Sequence, residues 1–222
     1  MQGDAAHHLG NVLRAQVGQF YELSDGQRVC LGRVERVARD RVEFVLLEEI
    51  PAYRPRVEVT LLLAVVKFDA FEWAIEKATE LGVSTIVPLA AARSEKAQLA
   101  AAAKRAERWR KLLAEASQQS RRVRVPALED AARPADALPR QTAAIKILFS
   151  EEPEAPALRK LLTGAAAASA ALAIGPEGGW AGEEFVIAQK AGFREASLGK
   201  LILRTETAVI AALACINLAL GD

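Results

Sequence analysis

The chain has 222 residues, of which 51% are hydrophobic and 26% charged, with a formal net charge of +1. This balance allows one large or two modest globular cores and excludes disordered and collagen-like chains. The most apolar stretches, 60–66 and 164–174, fall short of the ~18–20 residues a membrane helix needs, and Met1–Gly10 has no basic start or apolar run. Cys30 and Cys215 have no metal-ligand spacing, so the expectation is a cytoplasmic, metal-free protein with two buried thiols.

In chain order, residues 5–14 read as a short helix. After the turn signal Leu23-Ser-Asp-Gly26, alternating apolar positions over 28–37 and 41–47 read as short strands of a small β module. Pro51 and Pro55 flank a segment unsuited to a sheet interior, which places a boundary between units 1–52 and 56–222. Strands and helices then alternate. Residues 57–66 form a β-branched run, and Phe71, Ala74, Ile75, Ala78 and Leu81 line one face of a helix that ends at Gly82. Strand 85–89 is followed by helix 104–120, with Trp109, Leu112, Leu113 and Ala116 inward. Buried strands 144–149 and 172–174 come next, separated by a Pro-containing helix and an alanine-rich connection. Helices 183–191 and 205–218 close the chain. Trp73 and Trp109 read as packing residues. The pattern predicts an α/β fold with a parallel sheet covered on both faces.

Charge is uneven. Residues 1–52 carry six Lys/Arg against eight Asp/Glu, whereas 93–124 carry ten against three. A basic band in a nearly neutral chain is the electrostatic footprint that a phosphate backbone binds.

The densest chemical signal follows a buried strand: Ile174-Gly175-Pro176-Glu177-Gly178-Gly179. Three glycines allow close approach of a ligand to the backbone. The spacing matches neither the dinucleotide fingerprint nor a P-loop, and Glu177 opposes a diphosphate. A second loop, Ser197–Arg204, leads into a helix with Thr205 as N-cap and Glu206 in its first turn. Both loops follow strands, so they are expected to converge on one pocket outside the carboxyl ends of the sheet.

With those two loops, Lys67-x-Asp69-x-x-Glu72-Trp73, Lys77–Val83, Arg93-Ser94, Gln119–Pro126 and His7-His8-Leu9-x-x-Val12-Leu13-Arg14 stand in the order found in the RsmE family. The chain resembles these SPOUT-superfamily methyltransferases of small-subunit ribosomal RNA over most of its length. It departs from them at Phe68 and Arg121, usual glycine positions, at Ala70, Val123 and Leu201, and in starting almost at the histidine-containing helix.

The resemblance implies a PUA-like β barrel followed by a SPOUT domain with a deep trefoil knot, and a homodimer. It implies S-adenosylmethionine held by Leu148, Phe149 and Ser150, by Ile174, Gly175, Pro176, Glu177, Gly178 and Gly179, and by Leu198, Gly199, Ile202, Leu203 and Arg204. The implied reaction is methyl transfer to N3 of a uridine in 16S ribosomal RNA. Arg204 is the residue for stabilising negative charge, and Glu206, a residue near Glu177 or a partner-subunit group is the base. Arg14, Arg93, Lys96, Arg121, Arg122 and Arg124 are expected to contact RNA phosphates. A non-catalytic RNA-binding factor and a methyltransferase of transfer RNA are the competing readings.

Overall fold

The computed structural model describes residues 1–38, 40–52 and 55–221, and the chain divides into two compact units, Met1–Arg54 and Pro55–Asp222. The boundary segment expected between Pro51 and Pro55 includes residues 53–54, which lie outside the described residues.

In the first unit, α1 (Asp4–His7) widens into a π turn over His8–Val12, where a plain helix was expected. Strands β1 (Phe20–Ser24), β2 (Val29–Val37) and β3 (Val42–Ile50) form an antiparallel sheet in that order. Met1 and Gln2 extend it, through mutual backbone bonds of Met1 with Val42 and a bridge from Gln2 to Arg41. The small core joins Ala6, Leu9, Ala15, Val34 and Val42, with Tyr21 edge-on to Phe44.

The second unit holds β4 (Glu58–Ala64), α2 (Phe68–Glu80), β5 (Thr85–Leu89), α3 (Lys96–Gln119), β6 (Ala127–Leu128) and α4 (Pro134–Ala137). It continues with β7 (Ile145–Phe149), α5 (Leu158–Leu162), β8 (Ser169–Ile174), α6 (Gly182–Lys190), β9 (Arg194–Ala196) and α7 (Thr205–Leu220). The strands pair in parallel in the order β6-β5-β4-β8-β7-β9. Helices cover both faces: one layer of strand side chains (Leu61, Leu63, Ile147, Phe149) packs on α2, α3 and α7, the other (Leu62, Ala64, Leu148, Ala173) on α4 and α6. This two-sided burial is why β4 and β8 read as unbroken apolar runs.

Two boundaries differ from the sequence reading. Helix α3 starts at Lys96 rather than 104, because alanines 100–103 are strong helix formers and extend it toward its N-terminus. Strand β8 starts at Ser169, absorbing Ala170 and Ala171 from the supposed connection. Both are fully buried, where small side chains suit a central strand pressed between helical layers.

Helices α2 and α3 end in the same way. Val83 N–H bonds to Ala78 and Gly82 N–H to Thr79; likewise Arg122 N–H bonds to Ser117 and Arg121 N–H to Gln118. This double bond pattern needs a left-handed residue just past the helix. Gly82 supplies it at φ +92°, and Arg121, at a usual glycine position, supplies it at φ +54°.

Between these helices, Trp109 stacks at 4.5 Å on Phe71, and Arg105 lies 4.6 Å over the Phe68 ring. Trp73, expected to pack, is exposed because it stands off the buried face. The thiols also differ from expectation: Cys30 is half-buried in the small sheet and Cys215 is exposed on the outer face of α7.

Glu72 joins α2 to α3, accepting from Arg108 Nε at 2.9 Å and Arg105 Nη1 at 3.2 Å. Burial is the largest single influence and pushes its carboxyl up, but the Arg108 bond and the Arg108 and Arg105 charges together bring it below the ordinary 4.5. A depressed folded-state value means stabilisation present above pH 4.5 and lost as pH falls through that lower value. Urea melts from pH 7 to 3 are expected to show this loss, and Glu72→Gln should flatten it while lowering neutral-pH stability by about 1–3 kcal/mol.

Candidate active site

The carboxyl ends of β5, β7, β8 and β9 lie along one side of the sheet, because every strand of the unit is parallel. The loops that follow β7, β8 and β9 enclose a cleft of about 890 Å³, part of it open to solvent, with Arg93 from the loop after β5 at its edge.

These loops are bonded to one another. Trp180 Nε1 donates to the Phe149 carbonyl at 2.9 Å, joining the loop after β8 to the end of β7. Thr205 Oγ1 donates to the Gly175 carbonyl at 3.3 Å, joining the head of α7 to the same loop. Ser150 N–H donates to Ala196, and Ser197 N–H to Pro156, tying β9 and its loop to the segment after β7. Within the glycine loop, Gly179 N–H bonds back to Pro176 to form a tight turn, with Gly179 at φ +71°. Arg93 Nη1 closes over this turn, 2.6 Å from the Gly178 carbonyl.

Of the residues expected to hold the cofactor, Phe149, Ser150, Ile174, Gly175, Pro176, Glu177, Gly178, Gly179, Leu198, Gly199, Ile202 and Leu203 line the cleft. Leu148 does not: it precedes Phe149 in a strand, so it points to the opposite face and packs in the core with Trp180. Arg204 also lies outside the lining. It is the N-cap residue of α7 and exposed. Thr205, expected as the N-cap, instead occupies the first turn, and its hydroxyl serves Gly175. Glu206 is half-buried in that turn and does not line the cleft.

The lining also includes Trp180, Phe185 and Ala208 on its apolar side and Glu151, Glu152 and Lys200 on its polar side. The aromatic after the glycines was the only sequence signal for Trp180. A Cβ at Gly175 would stand 3.0–3.3 Å from the Trp180 ring, so the glycine is required by this close packing.

The make-up of the cleft selects among ligands. Glycines and apolar residues supply most of the walls, with polar side chains such as Ser150, Ser197 and Thr205 between them. Glu151, Glu152 and Glu177 outnumber Arg93 and Lys200 in the lining, a balance that tolerates a cation and offers little to a polyphosphate. A sulfonium cofactor with a flat aromatic adenine fits this lining better than a nucleoside triphosphate does. Among the described residues, no group of three His, Cys, Asp or Glu could hold a metal ion.

The basic band divides by geometry. Arg105 and Arg108 are engaged by Glu72, and Arg93 by the glycine loop. Arg122, expected on the RNA surface, is half-buried. Its Nη1 donates to the Thr79 carbonyl at 2.8 Å, capping the end of α2, and burial lowers its pKa. Lys96, Lys104, Arg110, Lys111, Arg121 and Arg124 remain on exposed positions. In the first unit Arg14 is exposed at φ +50°, directly after the π turn.

Comparison with known proteins agrees with this site. An RNA methyltransferase domain model matches residues 53–217, and an RNA methyltransferase PUA domain model matches residues 2–47. The chain is 34% identical to the ribosomal RNA small subunit methyltransferase E of Synechocystis sp., over 95% of this chain and 70% of that protein. It is 31% identical to the protein of the same name from Bacillus subtilis, over 97% of this chain and 88% of that one. The crystal structure of a ribosomal RNA small subunit methyltransferase E from Neisseria gonorrhoeae, bound to S-adenosyl methionine, superposes with a TM-score of 0.91 at 31% identity, over 100% of this chain and 92% of the other. The chain belongs to the ribosomal RNA small subunit methyltransferase E family.

Proposed function

We propose that this chain is an S-adenosylmethionine-dependent methyltransferase that methylates N3 of a uridine in 16S ribosomal RNA, free or in the small subunit. The observation that carries the reading is the cleft itself, walled by mutually bonded, glycine-rich loops at the carboxyl ends of parallel strands. When bound, the cofactor supplies a methyl group on a sulfonium, already strongly electrophilic. The protein's task is then to place the acceptor in line and exclude water.

Phe149, Ser150, Ile174–Gly179, Leu198, Gly199, Ile202 and Leu203 would hold the methyl donor, with Trp180 as a fixed wall. Arg204, exposed at the head of α7, would balance negative charge on the uracil oxygens as N3 loses its proton. Glu206, one residue further on, is the candidate base within this chain. The exposed cations at 96, 121 and 124, with Arg14 of the 1–52 RNA-binding unit, would carry the RNA backbone.

A homodimer completes this reading. Leu218 on α7 is 87% exposed, and Leu201 and Ile202, in the loop before α7, are 81% and 78% exposed. Such apolar surface beside a site favours coverage by a second copy, which would also bring partner groups toward Arg204. The strand order, with β8 between β4 and β7 and β9 at the outer edge, supports a knotted C-terminal connection. No helix among the described residues is long and apolar enough to cross a membrane, and a cytoplasmic location goes with the proposed RNA substrate.

The test is incubation with S-adenosylmethionine and small subunits lacking the modification, followed by nucleoside mapping, with transfer RNA in a parallel arm. N3-methyluridine in 16S RNA alone is expected. Methylation of another atom, of transfer RNA only, or of nothing despite cofactor binding would overturn the assignment.

A further inference from the structure

We propose that Glu184 is a positioning residue that holds the glycine loop in its binding shape by tying it to the loop carrying Arg93. The inference rests on reading the cleft as the methyl-donor site.

Glu184 stands in the first turn of α6 with its side chain in the protein interior, 6% exposed. Its Oε2 accepts from the Ala181 N–H at 2.8 Å, a local contact that closes the helix start. Its Oε1 accepts from the Ala92 N–H at 2.9 Å, on a loop 92 residues away in sequence. The next residue, Arg93, reaches back and donates to the Gly178 carbonyl at 2.6 Å, its aliphatic stem 3.4–4.0 Å from where a Cβ of Gly178 would stand. The two contacts close a ring: glycine turn, helix start, Glu184, Ala92, Arg93 and back to the glycine turn.

The chemistry demands a carboxylate. Both partners are backbone N–H donors, and an ionised carboxylate accepts at both oxygens. Glutamine keeps the shape but turns an NH2 group toward one of the amides, setting two donors face to face with no acceptor between them. A helix cap alone needs one oxygen, so the second bond, to Ala92, serves the loop rather than the helix. In a cleft walled by three loops, loop position sets affinity, and displacements beyond roughly 0.5 Å are costly. Glu184 contributes without touching the ligand, because it does not line the cleft.

Calorimetric titration of S-adenosylhomocysteine into the wild type, Glu184→Gln, Arg93→Ala and the double variant tests this, with a thermal melt of each. Each single variant is expected to weaken binding about tenfold, and the double variant to be no weaker than Glu184→Gln alone, because either change opens the same ring. Glu184→Gln melting lower but binding as the wild type does would reduce the residue to a helix cap and overturn the proposal. So would losses that multiply in the double variant. If Glu184→Gln does not fold, Arg93→Ala, altered at an exposed residue on the edge of the cleft, decides: wild-type affinity in it overturns the ring. A wild type with no saturable binding would instead overturn the reading of the cleft.

Discussion

Replacing Gly175 with valine is expected to lower affinity for S-adenosylhomocysteine by about 100-fold, the equivalent of roughly 2.7 kcal/mol. Even a Cβ there would stand 3.0–3.3 Å from Trp180, whose ring is held by the Nε1 bond to Phe149. Valine must push the indole off that bond or shift the glycine loop itself. Either movement disturbs the connection of β7 to β8 and, through the Gly175 carbonyl, the bond from Thr205. Overpacking of this kind costs about 1–3 kcal/mol of stability as well, so a thermal melt should accompany the titration. Gly178 is the less constrained glycine, since a Cβ there meets only the flexible Arg93 stem at 3.4 Å or more. Gly178→Ala should therefore retain binding within a few-fold. A glycine loop acting only as a surface turn would leave affinity unchanged in both variants.

Arg122→Ala is expected to destabilise the second unit by about 1–3 kcal/mol, through loss of a charge-assisted bond in a half-buried setting. Its guanidinium satisfies the Thr79 carbonyl at the end of α2, where Asn217 of α7 also donates to Leu81. Removing it leaves the Thr79 carbonyl with the Gly82 N–H alone and opens a gap where the guanidinium packs, and urea titration should register the loss directly. The salt dependence of RNA binding should scarcely change, because the group faces inward. Arg124→Ala, at an exposed position, should instead reduce the salt slope with little effect on the melt. An unchanged melt with a reduced slope for Arg122→Ala would return that residue to the RNA surface.

The parts of this molecule legible in the sequence are those governed by local periodicity. The α2 face of Phe71, Ala74, Ile75 and Ala78 is fully buried, as its spacing demands. The two loops around Gly175 and Leu198 were readable because glycine, proline and strand ends mark loops, and a parallel sheet places its loops on one side.

What stayed hidden depends on side-chain direction and on long-range pairing. Strand parity puts Leu148 and Phe149 in opposite core layers, and only Phe149, the last residue of its strand, also borders the cleft. Arg121, Arg122 and Arg124 look alike as letters, yet the left-handed turn at Arg121 sends Arg122 inward to Thr79. Glu184 carried one usable sign, a glutamate three residues after the N-cap Ala181, which marks a helix N-terminus. Its second partner, Ala92, has no side-chain signature at all.

Crystallisation with S-adenosylhomocysteine is the most direct test of the cofactor cleft. Density for a bent ligand between Pro176 and Leu198, contacted chiefly by main-chain atoms of residues 149–150, 174–179 and 198–203, is the predicted result. A ligand bound elsewhere on the chain, with this cleft vacant or filled by side chains at saturating concentration, would contradict it.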